Sequence, residues 1–521
     1  MNKSLTIVIL LVYLMSQKAM AQDSLVSFKD LQFTSNFERE AFHNFFKKND
    51  KSQYLPLLMS VSTAANKTEY SHVKNRIDGV NNLLMSTGID KKKPEKKIKA
   101  IYDQVHSTML KKYEMENRFY EIFLSGNYNC VTATALYSLV FEDLRIPYEI
   151  KEEPTHVYLL AYPNAGNILV ETTTPLFGFI NFDSEFKVKF VTNLKNQKII
   201  GTSEMEQKTT EELFNTYFFK NEKIDLKKLI GIHYMNDALF KNDHHKIREA
   251  YEQVQKAYLF YPSERCEYLL VNFGALLINE PKLQPKEKSR LIAQISRLKG
   301  HGITNDMIKG EFSNLTQDIL FRDNNKYLYK ECFDIIQSGI ADRELANELS
   351  YIYYYENGRV FYNQGNYVLA KGYFQNALVY QPNNVDLGGV FVNVIVQSFR
   401  NEKNNKSILD SLTSYQIKFP ALKENNNFNT MVAMTNVIQF GEEYRLGNAN
   451  SGDQYKAIFE KMLLDNNNLN VSSSTIGNAY SSACSYYFKR GQKVKAKTIL
   501  MKGLELAPDS YELRTRQQMI H

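Results

Sequence analysis

The sequence predicts a multidomain chain in which an α+β unit is followed by an all-α array of paired helices. Three observations predict it. A helical stripe of Ala133, Leu136, Tyr137, Val140, Phe141 and Leu144 is followed by runs rich in β-formers between Tyr148 and Thr174. From about Glu204 onward the spacing of apolar residues is helical to the end of the chain. Within that second half, aromatic and small residues recur at fixed offsets, the mark of a repeated helix–turn–helix unit.

In chain order, residues 1–21 read as a secretory leader. Lys3 supplies the charged start, Leu5 to Met15 the apolar run, and Ala19-Met20-Ala21 a small-x-small cleavage site. The expected product is exported, periplasmic or extracellular, without stable membrane insertion, because no other run approaches the length a span needs. Residues 22–97 form an N-terminal helical segment. The net charge of +7 is weak for 521 residues, and two of those lysines, Lys3 and Lys18, lie in the leader. The dense basic run Lys91 to Lys99 leads into Ile98, Ile101, Tyr102 and Val105, so it reads as a solvated helix start and not as a nucleic-acid contact. The four cysteines, Cys130, Cys266, Cys332 and Cys484, are too sparse for a disulfide framework. No Cys/His spacing points to a metal, and the adjacent His244 and His245 diverge on a helix. No cofactor is expected.

Residues 98–204 form the α+β unit. Tyr148 to Tyr162 and Asn167 to Thr174 read as a hairpin about the turn Pro163 to Gly166, and Glu185 to Thr192 alternates Phe186, Val188 and Phe190 as a further strand. Residues 205–521 form the helical region. In it Tyr354, Gly358, Phe361, Ala370, Phe374, Ala377 and Pro382 resemble a tetratricopeptide repeat. Tyr480, Tyr487, Ala496, Leu500, Gly503 and Pro508 fit the same frame, as do Tyr234, Ala238, Ala250, Val254, Ala257 and Pro262. The resemblance implies stacked helix pairs that bind a protein partner.

The stretch Gly126-Asn127-Tyr128-Asn129-Cys130 raises a separate question. Cys130 shares the core-facing stripe of its helix, which suits a buried thiol. It also falls in the first turn behind Asn129 as N-cap, where unpaired N–H groups and the helix dipole favour thiolate. A nucleophile needs a base and a group to orient it, and the hairpin offers His156 and Glu171. With a four-residue loop, Tyr162 pairs with Asn167 and Tyr158 with Glu171, leaving His156 one diagonal step from Glu171 on the same face, with Thr173 as the competing partner. Asn127, Tyr128 and Asn129 are alternatives for the second oxyanion donor beside the Cys130 N–H.

The residues "NCVTATALYSLV", "THVYLL" and "VETTTP" resemble the transglutaminase-like branch of the papain-like fold over about residues 98 to 200. That resemblance implies Cys130 as nucleophile, His156 as general base and Glu171 as the acid, in an α+β transglutaminase-like domain ahead of an all-α tetratricopeptide-like helical array. It implies thiol acyl transfer on a protein or peptide substrate, by hydrolysis or cross-linking. The chain departs from the family in having no Trp and in placing Glu where Asp is commoner. The alternative reading is a catalytically inactive scaffold or protein-binding module built on the repeats.

Overall fold

Side-chain caps and apolar spacing set the helices that dominate this computed structural model, which describes residues 25–153, 156–163, 168–172, 184–197, 199–218 and 222–519. The expected leader, residues 1–21, lies outside them. The chain divides into two units, one of residues up to 311 with 330–342, the other of 312–329 with the chain from 343 onward.

In the first unit, helix α1 (Asn36–Lys48) starts where Ser35 accepts from the Glu38 N–H at 3.1 Å. Helices α2 (Lys67–Ser86) and α3 (Pro94–Met109) follow, the second with proline in its first turn, where no N–H is needed. Strands β1 (Lys112–Tyr113) and β2 (Asn127–Tyr128) form a two-residue parallel pair. Helix α4 (Cys130–Asp143) begins at once behind a reciprocal cap. Asn129 Oδ1 accepts from the Thr132 N–H, and Thr132 Oγ1 accepts from the Asn129 N–H, each at 2.9 Å.

Strands β3 (Tyr148–Glu153), β4 (His156–Ala161) and β5 (Ile168–Val170) come next. Helices α5 (Ser184–Asn196) and α6 (Thr210–Phe218) then lead to β6 (Glu222–Ile224). The sheet is antiparallel throughout in the order β5-β4-β3-β6. Helices α7 (Leu226–Asp243), α8 (Ile247–Phe260) and α9 (Glu264–Ile278) pack in sequence. Glu38 of α1 and Lys256 of α8, both essentially buried, meet at 2.8 Å. The ammonium lies off the hydrogen-bonding direction, with the Phe33 and Tyr234 rings at 5.8 and 5.9 Å. A second buried carboxylate, Glu152 of β3, holds the Arg265 guanidinium and the Tyr261 hydroxyl, the latter at 3.0 Å.

This is not the expected α+β transglutaminase-like domain. The described residues are 73% helix and 5% strand, and the small sheet is set among helices, its edge strand β6 falling beyond residue 204. Two local misreadings explain part of the difference. Glu185 to Thr192 lies in helix α5, where Phe190, Val191 and Leu194 are buried at helical spacing and Val188, a supposed inward strand position, is 52% exposed. Tyr148 to Tyr162 is not one strand but two, β3 and β4, pairing from Tyr148↔Ala161 to Glu153↔His156. Pro154 stands between them, and proline cannot donate to a ladder.

The second unit is helical throughout its described residues. Helices α10 (Arg343–Asn363) and α11 (Tyr367–Tyr380) pack as an antiparallel pair, with α12 (Val385–Ser398) against α11. Two more pairs follow, α13 (Asn426–Leu446) with α14 (Ala449–Asp465) and α15 (Ser473–Lys489) with α16 (Lys493–Leu506), closed by α17 (Tyr511–Met519). Small residues set the crossings. A Cβ on Gly358 would stand 2.9 Å from the Phe374 ring, and one on Gly503 would stand 2.8 Å from Tyr480 Cβ. The positions that resemble a tetratricopeptide repeat are the ones that pack, Ala370, Phe374, Ala377, Ala496 and Leu500 being buried. The chain carries a tetratricopeptide-like helical array. Sequence reading missed the pair α13–α14, whose Gly441, Tyr444, Gly452 and Phe459 keep the small and aromatic character at shifted offsets.

Candidate functional site

Two places in the fold gather functional chemistry. The first is the start of α4. The left-handed Gly126 (φ 84°) turns the chain into β2, where a Cβ would strike the Lys111 side chain at 2.7 Å, and Asn129 then caps the helix on which Cys130 is the first residue. Helix α4 lies on β4 and β3. Thr134, one turn beyond Cys130, places its hydroxyl 3.2 Å from the Val157 carbonyl oxygen and 3.1 Å from Thr172 Oγ1. Cys130 is 8% exposed, and burial pushes its thiol up to about 11. Backbone N–H groups of Val157, Val131 and Cys130 itself face the sulfur and oppose that rise, while the Glu171 carboxylate adds to it.

His156 opens β4, and Glu171 directly follows β5. The register Leu159↔Val170, Leu160↔Leu169, Ala161↔Ile168, carried one step further, sets Tyr158 opposite Glu171 and His156 on the diagonal. His156 Nε2 and Glu171 Oε1 stand 2.7 Å apart, the histidine side chain 15% exposed. The Tyr158 ring stacks on His156 with centroids 6.1 Å apart. Thr173, the competing partner in that register, lies outside the described residues. Around Cys130 the rings are mostly tyrosines. Tyr137 and His106 stack on Tyr102 at 5.7 and 5.5 Å, and Tyr128 meets His106 and Tyr113 edge-on. Tyr113, which sequence reading did not single out, sets its ring edge-on to Tyr128 with centroids 5.9 Å apart. Nothing local marks it, because β1 and β2 are only two residues long.

The alternatives for a second oxyanion donor are placed as follows. The Asn127 amide donates to Glu114 Oε2 at 3.0 Å. The Asn129 amide donates to the carbonyls of Met115 and Asn117 at 3.0 and 3.3 Å. The Tyr128 ring is buried.

The second place is the seam between α13 and α15. Gly441 crosses Ala479 so closely that a Cβ would stand 2.7 Å from Ala479 Cα. That crossing floors a groove of about 300 Å³ walled by Ile438, Glu442 and Arg445 on one helix and Thr475, Asn478 and Ser482 on the other. Arg445 is exposed and pairs with Glu442 at 3.0 Å, and Met434 extends the same stripe of α13 outward. The rim therefore offers a cation, amide and hydroxyl donors, and exposed apolar side chains. Among the described residues no cluster of His, Cys, Asp or Glu could hold a metal ion, and no helix is long and apolar enough to cross a membrane.

No protein-family model matches the chain, and no curated protein matches it. A solved structure titled "Crystal structure of APC/C hetero-tetramer Cut9-Hcn1" aligns over 95% of this chain and 98% of its own at 10% identity. The TM-score is 0.19, too low to establish a common fold. The helical-repeat assignment rests on the helix pairs themselves.

Proposed function

We propose that the chain is a helical-repeat scaffold that binds a protein partner on the α13–α15 face. The observation that supports it most is the groove at the Gly441–Ala479 crossing, where an open floor between two packed helices meets an Arg445, Asn478 and Ile438 rim. Arg supplies fixed charge-assisted donors, and the apolar stripe supplies desolvation. The test uses the partner recovered with the full chain, purified and titrated against wild type and an Arg445→Glu, Asn478→Arg variant. At least tenfold weaker binding, with helical circular dichroism unchanged, supports the reading. Equal affinity overturns it.

A second reading is favoured by the 2.7 Å contact of His156 with Glu171, whose carboxylate acts on the Cys130 thiol at the start of α4. In it Cys130 is a nucleophile for acyl transfer on a protein or peptide, His156 takes its proton and Glu171 fixes the imidazole. A thiol raised to about 11 needs such a base at neutral pH. His156→Ala should slow iodoacetamide labelling of Cys130 at least tenfold while leaving Cys484 unchanged, and equal labelling of Cys130 removes the reading. Export is likewise inferred from the pattern ending at Ala19-Met20-Ala21, and N-terminal sequencing of the mature protein should begin at Gln22. A chain still beginning at Met1 contradicts it.

A further inference from the structure

A cavity of about 210 Å³ opens in the first unit between the turn Phe28–Asp30, helix α8 and the helix Pro285–Ser296. Its inner wall is apolar, with Tyr251, Leu277 and Leu291 all buried. Its charged lining consists of Asp30, Arg248, Glu252, Glu287 and Arg290. Three of these are matched within the protein. Asp30 accepts from the Arg297 guanidinium at 2.5 Å and from the Gln294 amide at 3.5 Å. Arg248 donates twice to Glu287, at 2.9 and 3.2 Å. Glu252 and Arg290 remain, and among the described residues neither makes a hydrogen bond or an ion pair, with the other or with any third group. The cation one turn along α8, Lys256, is taken by Glu38 at 2.8 Å. Burial holds the Glu252 carboxyl above its ordinary range, and Lys256 and Arg248 offset that only in part.

We infer that this cavity binds an apolar α-amino acid, with its ammonium on Glu252, its carboxylate on Arg290 and its side chain against Tyr251, Leu277 and Leu291. A carboxylate that lacks donors and a guanidinium that lacks an acceptor, on two helices of one small cavity, are satisfied together by a ligand that carries both charges close to each other. A simple cation would leave Arg290 unmatched, and a dianion would set like charge against Glu252. The volume is smaller than the roughly 300 Å³ at which sites for drug-sized ligands begin, which limits the occupant to a small molecule. The apolar wall sets the character of its side chain. The site involves neither the α13–α15 face nor the Cys130 thiol, so it stands or falls apart from both.

The test is calorimetric titration of the full chain with L-leucine, L-methionine and L-phenylalanine, and then with the N-acetyl and the amide derivative of whichever binds most tightly. In the wild type, loss of the ligand's ammonium by acetylation, or of its carboxylate by amidation, should each weaken binding about tenfold or more. Glu252→Gln keeps the shape of the side chain, and Arg290 is exposed, so Glu252→Gln and Arg290→Gln should both fold, which circular dichroism checks. Each variant should bind the free amino acid about tenfold more weakly or worse. Glu252→Gln should also cease to discriminate against the N-acetyl derivative, and Arg290→Gln against the amide, which pairs each protein charge with one ligand charge. A wild type that binds none of the three amino acids overturns the inference. So does a bound amino acid whose affinity both variants retain, or discrimination against the two derivatives that persists in the variants.

Discussion

At Cys130 two local forces act with opposite sign. The first turn of α4 and the Val157 N–H favour the thiolate, while burial favours the thiol, and burial is the larger. A position read from sequence as a helix-start thiolate is therefore a protonated thiol in the resting protein. Cys266, fully buried in α9, is likewise pushed up to about 11 by burial. Iodoacetamide labelling of the native chain should accordingly be slow for both at pH 7 and climb between about pH 9 and 11, the range in which such a thiol ionises. Peptide mapping at stepped pH reads this directly. Rapid labelling of Cys130 at pH 6 would show that the helix start prevails over burial. Sequence made the cap and the residue types legible, since Asn129, Thr132 and Gly126 are local signals. It could not give the degree of burial, which comes from α4 lying on the sheet at β4 and β3.

Among elements, the sheet is tied to the helices through one buried carboxylate. Glu152 of β3 takes both the Arg265 guanidinium and the Tyr261 hydroxyl, and all three are buried. Glu152→Ala leaves the Arg265 charge in the interior without that carboxylate, which should destabilise the first unit by about 3–5 kcal/mol. Urea unfolding measures it, and a loss under about 1 kcal/mol would mean that Arg265 reaches water in the variant. In the second unit Glu443 of α13 is held below its usual range by Lys406 at 2.8 Å, aided by the Asn448 and Gln439 amides. Because the folded value lies below the unfolded one of 4.5, the stabilisation is complete above that pH and is lost as pH falls through the folded value. Wild type should therefore lose more stability than Glu443→Gln between pH 5 and pH 3, and parallel losses would contradict the pairing. The β4–β5 register was legible because a four-residue loop fixes it by counting. The division into β3 and β4 was passed over because both runs share the same β-rich composition. Helix α5 was misread because "EFKVKFVT" satisfies a period of two and of three to four over so few residues.

Across the whole molecule, the repeat was the most legible feature, since its small and aromatic positions mark helix crossings that recur. What sequence reading could not weigh was the balance of the chain. One helix and two β-rich runs implied an α+β domain, but the strands are short and the remainder of the first unit is helical, with Glu38 and Lys256 joining helices remote in sequence. The account's central claim is that a protein partner sits on the α13–α15 face. It is tested most directly by placing a photo-crosslinking amino acid at Asn478, in the groove wall, or at Lys497, exposed on α16, and irradiating cells that make the full chain. The account predicts a discrete protein adduct from position 478 that Arg445→Glu abolishes, and none from position 497. Adducts of equal yield from both positions, or none from 478, would contradict it.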